Sequence, residues 1–258
     1  MGAVARLLLL ALVGAVAQFV DGAMGMAYGM SSASLMLLAG MAPAAVSATV
    51  HLAELPTTLL SGWSHWQFGN LRPALALAIA VPGAAGAWMG ARLLAGLPAH
   101  LARPLVGAVL CALGAYILWR FARSGPAAGT AARTPRPRQR PGSTNCLRLR
   151  AVARTLLAFA AGFVDAAGGG GWGPLMTSGF LAGSRREVRR VVAAVDAAEF
   201  AVTAAASAGL LRHAPSPVEP LWVAALVVGG AAAAPAAAWL VGRLPSRLAG
   251  TLVGGLVL

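Results

Sequence analysis

One phrase occurs twice in this chain, and each copy interrupts an apolar run with a carboxylate and several glycines. Residues 19–29 read FVDGAMGMAYG and residues 163–173 read FVDAAGGGGWG, so the second copy follows the first by 144 positions. The aspartate is shared, and an aromatic residue stands next to last in both copies. An interrupted helix at corresponding positions of two halves of a membrane protein is the best sequence pointer to a transporter binding site.

The composition indicates a membrane protein. Of the 258 residues, 59% are hydrophobic and only 10% are charged, whereas soluble domains carry about 25% charged residues. Several uncharged runs approach the roughly 20 residues that a spanning helix needs: Leu7–Val20, Pro73–Ala91, Leu105–Leu118 and Pro220–Val241. The first run, behind Arg6, also resembles a signal peptide, but the second half repeats this design in mid-chain. We therefore predict an all-α integral membrane protein.

Two further blocks match between the halves. His51–Leu55 with Thr58 corresponds to Asp196–Phe200 with Thr203 at an offset of 145, and Leu97–Leu101 corresponds to Leu244–Leu248 at an offset of 147. This nearly constant offset predicts one unit duplicated in tandem. Each unit is expected to hold a glycine-broken helical hairpin followed by three transmembrane helices. The hairpins are predicted over 4–39 and 152–182, and the helices over 43–64, 73–94, 101–121, 188–211, 218–241 and 246–258.

Positive charge concentrates between the two units. The chain has 20 Arg, no Lys and a net charge of +13, and nine of the Arg lie between Arg120 and Arg154. This stretch joins apolar spans and contains many Pro, Gly, Ser and Thr residues, so we interpret it as a cytoplasmic linker and not as a nucleic-acid site. The predicted division is 1–121 as the first transmembrane repeat, 122–150 as the linker and 151–258 as the second repeat. The arginine-rich residues 185–190 are then cytoplasmic and the uncharged residues 40–43 are outside, which predicts inverted repeats.

The glycines of both breaks can present backbone N–H groups within the membrane. A half-helix that begins after a break points the positive end of its dipole at the cavity, which suits an oxyanion. We expect these half-helices to begin at Ser31 or Pro174. The candidate substrate-binding residues combine the glycines with aromatic and hydroxyl side chains: Gly25, Tyr28, Gly29, Ser31, Gly169, Gly170, Gly171, Trp172, Gly173, Thr177 and Ser178. Small residues also serve helix packing, but two copies beside carboxylates favour a binding site.

Several ionisable side chains fall at the predicted membrane depth. Such groups are costly in a bilayer unless they are paired or hydrated, so they are functional hypotheses by default. The candidates for proton coupling or gating are Asp21, His51, Glu54, Asp165, Asp196 and Glu199. Burial favours the neutral form of a carboxyl group, so proton uptake during transport is expected. The structural alternative is that Asp21 and Asp165 cap the half-helices and that His51 is a packing residue.

Three segments together carry a family resemblance: residues 163–174, His51–Glu54 followed by Thr57 and Thr58, and Ser64–Asn70. In combination they resemble the TauE/SafE family of sulfite exporters, over nearly all of both repeats. The resemblance implies a multi-pass protein of the bacterial inner membrane. It also implies the export of sulfite, sulfoacetate or a similar small sulfur-containing or organic anion, coupled to the proton gradient.

Two other classes of function are open to the same residues. A cation or metal permease would use the intramembrane carboxylates and His51 as ligands. An enzyme is not expected, because the sequence offers no nucleophile elbow, no His/Cys cluster and no nucleotide-binding loop. We thus expect no catalytic residue, no metal site and no cofactor. The expected partners are a small anion and the lipid bilayer, with a homodimer left open and no nucleic acid.

Overall fold

A computed structural model of the chain describes residues 3–24, 28–67, 71–123, 144–183, 188–213 and 218–241. Within these ranges the regular structure is entirely α-helical, which confirms the predicted class. The helices are α1 (Ala3–Met24), α2 (Tyr28–Leu38), α3 (Pro43–Gln67), α4 (Pro73–Gly96), α5 (Ala99–Arg123), α6 (Thr144–Gly168), α7 (Trp172–Gly183), α8 (Val188–His213) and α9 (Pro220–Val241).

Four of the described helices are long and apolar enough to cross a membrane. The apolar spans are Pro73–Gly96, Ala99–Trp119, Arg148–Gly168 and Ala193–His213, and shorter apolar segments cover Val4–Gln18 and Pro220–Ala233. Large apolar side chains also lie on the outside of the bundle, such as Leu8 and Leu12 of α1, which are 67% and 61% exposed. In a bilayer this outer face of α1 contacts acyl chains, because water would not favour it.

Helices α2 and α7 are short. They contain 11 and 12 residues, which corresponds to about 17 Å each, roughly half of the 30 Å of a bilayer core. Helix α7 follows α6 after Gly169–Gly171, and α2 follows α1 across residues 25–27, which lie outside the described residues. The predicted starting points were wrong by two or three residues, because Trp172 and Tyr28 are already helical.

The other predicted helices lie where the sequence places them, with bounds that differ by a few residues. Helix α6 begins at Thr144, so residues 144–150 of the predicted linker are helical. Residues 124–143 and the predicted last helix, 246–258, lie outside the described residues. The division into two repeats and a linker therefore stays a prediction.

Glycines permit close helix crossings in the core. Helix α1 packs along α9, α4 lies against both α6 and α8, and α3 packs against α8. A Cβ on Gly86 of α4 would collide with the main-chain oxygen of Phe159 in α6, and a Cβ on Gly229 of α9 would collide with that of Ala11 in α1. Small residues at such crossings let membrane helices approach backbone to backbone.

Contacts at the helix termini show which ends of the bundle lie together. The guanidinium of Arg6, near the start of α1, stacks on the ring of Trp222, near the start of α9, with 5.7 Å to the ring centroid. Arg103, near the start of α5, donates a hydrogen bond of 3.0 Å to the main-chain oxygen of Gly40, between α2 and α3. Arg6, Gly40 and Trp222 also line one groove. We call this side of the bundle the α1 end.

Candidate functional site

Three glycines and Asp165 hold the break between α6 and α7. Gly169 has a φ of 74°, a conformation that residues with a Cβ rarely adopt. The N–H groups of Gly169 and Gly170 donate to the main-chain oxygen of Asp165, at 2.8 and 3.0 Å, and so satisfy a carbonyl at the end of α6. Helix α6 therefore ends here because glycine meets this backbone geometry at low cost.

The carboxylate of Asp165 occupies the start of the next half-helix. Its Oδ1 accepts a hydrogen bond of 2.9 Å from the backbone N–H of Trp172, the first residue of α7. A helix start offers unpaired N–H groups and the positive end of the dipole, both of which favour an anion. The side chain of Asp165 thus occupies a position that would also suit an external anion.

His51 of α3 contacts the other oxygen of this carboxylate. Its Nε2 lies 3.1 Å from Oδ2 of Asp165, and its Nδ1 lies 2.7 Å from the main-chain oxygen of Ser47. Because a carbonyl oxygen only accepts hydrogen bonds, Nδ1 carries a hydrogen. The Ser47 hydroxyl donates to the main-chain oxygen of Ala166 at 2.7 Å and lies 3.3 Å from Nδ1, which is consistent with its accepting from the ring.

This arrangement fixes the proton content of the His51–Asp165 pair. Since Nδ1 is protonated, the contact between Nε2 and Oδ2 needs one further proton. Either an imidazolium donates to a carboxylate, or a neutral imidazole accepts from a carboxylic acid, and both forms have zero net charge. The side chains are 0% and 6% exposed, so removal of this proton would leave an uncompensated buried charge. The pair therefore retains one proton in the described state.

The start of α2 also faces a carboxylate. A Cβ on Gly29 would lie 2.9 Å from Oε1 of Glu54, 3.0 Å from the main-chain oxygen of Gly169 and 3.0 Å from Cα of Gly170. A Cβ on Gly170 would collide with the backbone nitrogen of Met30. The start of α2 and the α6–α7 break thus touch through glycine backbones, with the buried side chain of Glu54 beside them.

This contact fills the space that an anion would need between the two half-helix starts. Residues 165–174 are all buried. Among the described residues, the α6–α7 break is therefore buried against the start of α2.

The two aromatic residues of the repeated phrase contact neighbouring helices. Trp172 is fully buried, its Nε1 donates a hydrogen bond of 3.1 Å to the main-chain oxygen of Val195 in α8, and its ring lies against Gly83 of α4. The ring of Tyr28 lies beside Gly230 of α9, with 3.6 Å between Cε2 and the position of a Cβ there. In this state both rings connect the half-helices to the long helices of the bundle.

The remaining candidates are dispersed. Ser31 and Thr177 are buried, and the Ser31 hydroxyl has no hydrogen-bond partner among the described residues. Gly173 and Gly171 are buried at the start of α7, and Asp196 and Glu199 are partly buried on α8. Gly25 and the side chains of Asp21 and Ser178 lie outside the described residues.

Sequence reasoning missed three polar residues. Ser47 lies four residues before His51, a spacing at which helical side chains meet, so the signal was available. Thr203 and Ser207 of α8 are buried, and their hydroxyls have no hydrogen-bond partner in the described part of the chain. Thr58, which corresponds to Thr203 in the repeat, instead donates to the main-chain oxygen one turn earlier in α3, at 2.9 Å.

Long apolar helices and two half-helix starts that meet beside buried ionisable groups are features of a membrane transporter. A family model described as "Sulfite exporter TauE/SafE" matches residues 10–258. A relative from Bacillus subtilis (strain 168), described as "Probable membrane transporter protein YtnM", is 41% identical over 254 residues, which is 98% of this chain and 80% of the relative. No solved structure matches the chain significantly. The chain belongs to the TauE/SafE family and is a multi-pass membrane transporter, which confirms the resemblance.

Proposed function

We propose that this transporter exports a small sulfur-containing or organic oxyanion, such as sulfite or sulfoacetate, across the bacterial inner membrane with proton coupling. The observation that carries the proposal is the dual contact of Asp165, whose carboxylate binds the helix-start N–H of Trp172 and also shares a proton with His51. One side chain therefore joins the anion-favouring position to a proton-bearing group.

Protonation of Asp165 determines whether the N–H group at the start of α7 is available to an anion. An ionised Asp165 binds the Trp172 N–H through a charge-assisted hydrogen bond, which is roughly twice as strong as a neutral one. When the pair takes up a second proton, Asp165 becomes a carboxylic acid beside the His51 imidazolium. The carboxyl group is then the weaker acceptor for the Trp172 N–H, and an oxyanion can replace it while its charge compensates that of the imidazolium. Proton and anion then bind cooperatively, and each raises the affinity for the other by the same factor.

Glu54 of α3, whose side chain lies beside the start of α2, provides a second group through which protonation controls anion binding. An ionised carboxylate about 4 Å from a bound oxyanion repels it by about 4 kcal/mol for an effective dielectric constant near 20. Protonation of Glu54 removes this repulsion and so adds to the cooperativity. We propose the corresponding role for Glu199 in the second repeat, and Asp21 and Asp196 remain candidates for gating.

The two repeats are proposed to be inverted and related by a pseudo-twofold axis. Corresponding contacts support this relation, because Trp172 lies against Gly83 of α4 and Tyr28 lies beside Gly230 of α9. The aromatic positions differ by 172 − 28 = 144 and the glycine positions by 230 − 83 = 147, which are offsets of the sequence repeat. The packing of α1 on α9 and of α6 on α4 corresponds in the same way.

Reporter fusions test this topology together with the cytoplasmic location of the linker. Fusions within residues 40–43 and 185–190 are expected on opposite sides of the membrane, with 185–190 on the same side as the linker, 122–150. If both fusions report the same side, the repeats are not inverted.

Flux measurements with the purified chain in proteoliposomes test the function. Sulfite, thiosulfate, sulfoacetate and sulfate are supplied with and without a pH gradient, and divalent cations are supplied in a separate arm. We expect flux of at least one sulfur oxyanion that a pH gradient accelerates. Cation flux without any effect of anions would instead support a cation permease. Within the described ranges, no three His, Cys, Asp or Glu side chains are placed to hold a metal ion.

A further inference from the structure

A groove away from the proposed transport site lies at the α1 end. Its volume is about 490 Å³, within the roughly 300–1,000 Å³ range of small-molecule sites. It is bounded by α1, the second half of α2, the connection between α2 and α3, and the start of α9. The lining residues are Arg6, Leu9, Leu10, Val13, Leu35, Met36, Ala39, Gly40, Met41 and Trp222.

The rim of this groove has the composition of a membrane interface. Arg6 and Trp222 lie in the first turns of two apolar helices, and the guanidinium stacks on the indole ring. Trp is enriched where helices enter the headgroup region, and an Arg there can keep its charge in water while its stem covers apolar surface. The rim therefore lies at the level of lipid headgroups.

Below the rim the walls are apolar. Leu9, Leu10 and Val13 of α1 face Leu35 and Met36 of α2 across the groove. From Arg6 to Val13 the helix rises about 10 Å, toward the middle of the bilayer. The neighbouring face of α1, with Leu8 and Leu12, is exposed to the surroundings of the bundle. The groove thus suits a molecule that is charged at the level of the rim and apolar below it. Such a molecule would lie next to the acyl chains of the bilayer.

We propose that the groove binds an anionic phospholipid, with its headgroup phosphate at Arg6 and one acyl chain between α1 and α2. A small hydrophilic anion fits less well, because Arg6 is the only charged side chain among the described residues that line the groove, and the walls below it offer apolar atoms. A zwitterionic lipid would place its own cation near the guanidinium, so the groove should discriminate by headgroup charge.

Native mass spectrometry of the full chain, purified in detergent, tests this site with three probes: phosphatidylglycerol, phosphatidylcholine and glycerol 3-phosphate. We expect phosphatidylglycerol to bind more tightly than phosphatidylcholine, and glycerol 3-phosphate, which has no acyl chain, to bind weakly. The Arg6→Gln variant should bind phosphatidylglycerol about fivefold more weakly, since one cation contributes roughly that factor to anionic-lipid binding. Arg6→Lys should retain most of the affinity.

The matched control is Arg212→Gln, which removes an exposed arginine outside the groove and should leave lipid binding unchanged. Leu9→Trp keeps the cation but fills the groove, so it should weaken phosphatidylglycerol binding; Leu35→Phe provides the same test from the opposite wall if Leu9→Trp does not fold. Equal effects of Arg6→Gln and Arg212→Gln would overturn the proposal. Binding of glycerol 3-phosphate as tight as that of the lipid would also overturn it, because the site would then recognise the headgroup alone.

Discussion

The substitution Asp165→Asn keeps the shape of the side chain and removes its exchangeable proton. The amide oxygen can accept the N–H of Trp172, which now lies 2.9 Å from Oδ1. The amide NH₂ can donate to Nε2 of His51, which now lies 3.1 Å from Oδ2, because Ser47 keeps the ring hydrogen on Nδ1. Both hydrogen bonds survive, so we expect the free energy of unfolding to change by less than about 1 kcal/mol.

Asp165→Ala provides the contrast. It leaves the N–H of Trp172 and Nε2 of His51 buried without their partner, at about 1–3 kcal/mol each, so we expect a loss of about 2–6 kcal/mol. For a chain of this size, each kcal/mol shifts the midpoint of thermal unfolding by roughly 2–4 °C. Thermal unfolding in detergent measures the difference, and Glu219→Gln, which neutralises an exposed carboxylate, is the control.

The effect of Asp165→Asn on transport follows from the strength of one hydrogen bond. A hydrogen bond to a charged acceptor contributes about 1.5–3 kcal/mol and a neutral one about 0.5–1.5 kcal/mol. The oxyanion therefore has about 1–1.5 kcal/mol less competition for the Trp172 N–H, which corresponds to roughly five- to tenfold tighter binding. Thiosulfate, which stays ionised, is titrated calorimetrically at several values from about pH 5 to 8.

We expect the variant to bind thiosulfate with little dependence on pH, and a pH gradient no longer to drive its accumulation in proteoliposomes. If the variant folds and keeps the wild-type pH dependence, the His51–Asp165 pair does not carry the coupling proton. If it is as unstable as Asp165→Ala, the hydrogen on Nδ1 of His51 is wrongly assigned.

Four further substitutions and one control test other parts of the site. Glu54→Gln and Glu199→Gln should retain anion binding and lose the pH dependence of flux, measured in the same proteoliposomes; wild-type pH dependence in both would make these glutamates structural. Gly170→Ala places a Cβ against the backbone of α2 and should lower both the thermal midpoint and the flux, whereas Gly107→Ala, with nothing within 4 Å of its Cβ, should change neither by much. Trp172→Phe removes a hydrogen bond to α8 and should cost about 1 kcal/mol of stability without changing KM; a higher KM at an unchanged thermal midpoint would show that the indole contacts substrate.

Apolar runs and helix breakers were sufficient to predict where the long helices lie. Each run of about 20 apolar residues is bounded by Pro or by polar residues, and these signals are local. The signal that determines where α7 begins is not local, because it comes from a side chain in α6, seven positions earlier in the chain. The carboxylate of Asp165 accepts a hydrogen bond from the N–H of Trp172. Helix α7 therefore begins at Trp172, whereas sequence reasoning placed its start two residues later, at Pro174.

The sequence predicted residues that belong to the site but not the contacts between them. His51 and Glu54 could be grouped from the sequence, because they are three residues apart on one helix. The sequence contained no signal that His51 contacts Asp165, which is 114 positions away and belongs to the other predicted repeat. It also predicted free N–H groups at the break, whereas the N–H groups of Gly169, Gly170 and Trp172 already bind Asp165.

The contact between Gly29 and Gly170 constrains how this protein can change by mutation. A crowded residue is usually accommodated when its neighbour becomes smaller, but neither of these glycines has a side chain to lose. The three atoms nearest to a Cβ on Gly170 are all backbone atoms of α2, so a suppressor of Gly170→Ala has to act at a distance, by shifting the backbone of α2 or of the α6–α7 break. Random mutagenesis that restores function to such a variant would accordingly select residues that set the positions of these two segments relative to each other.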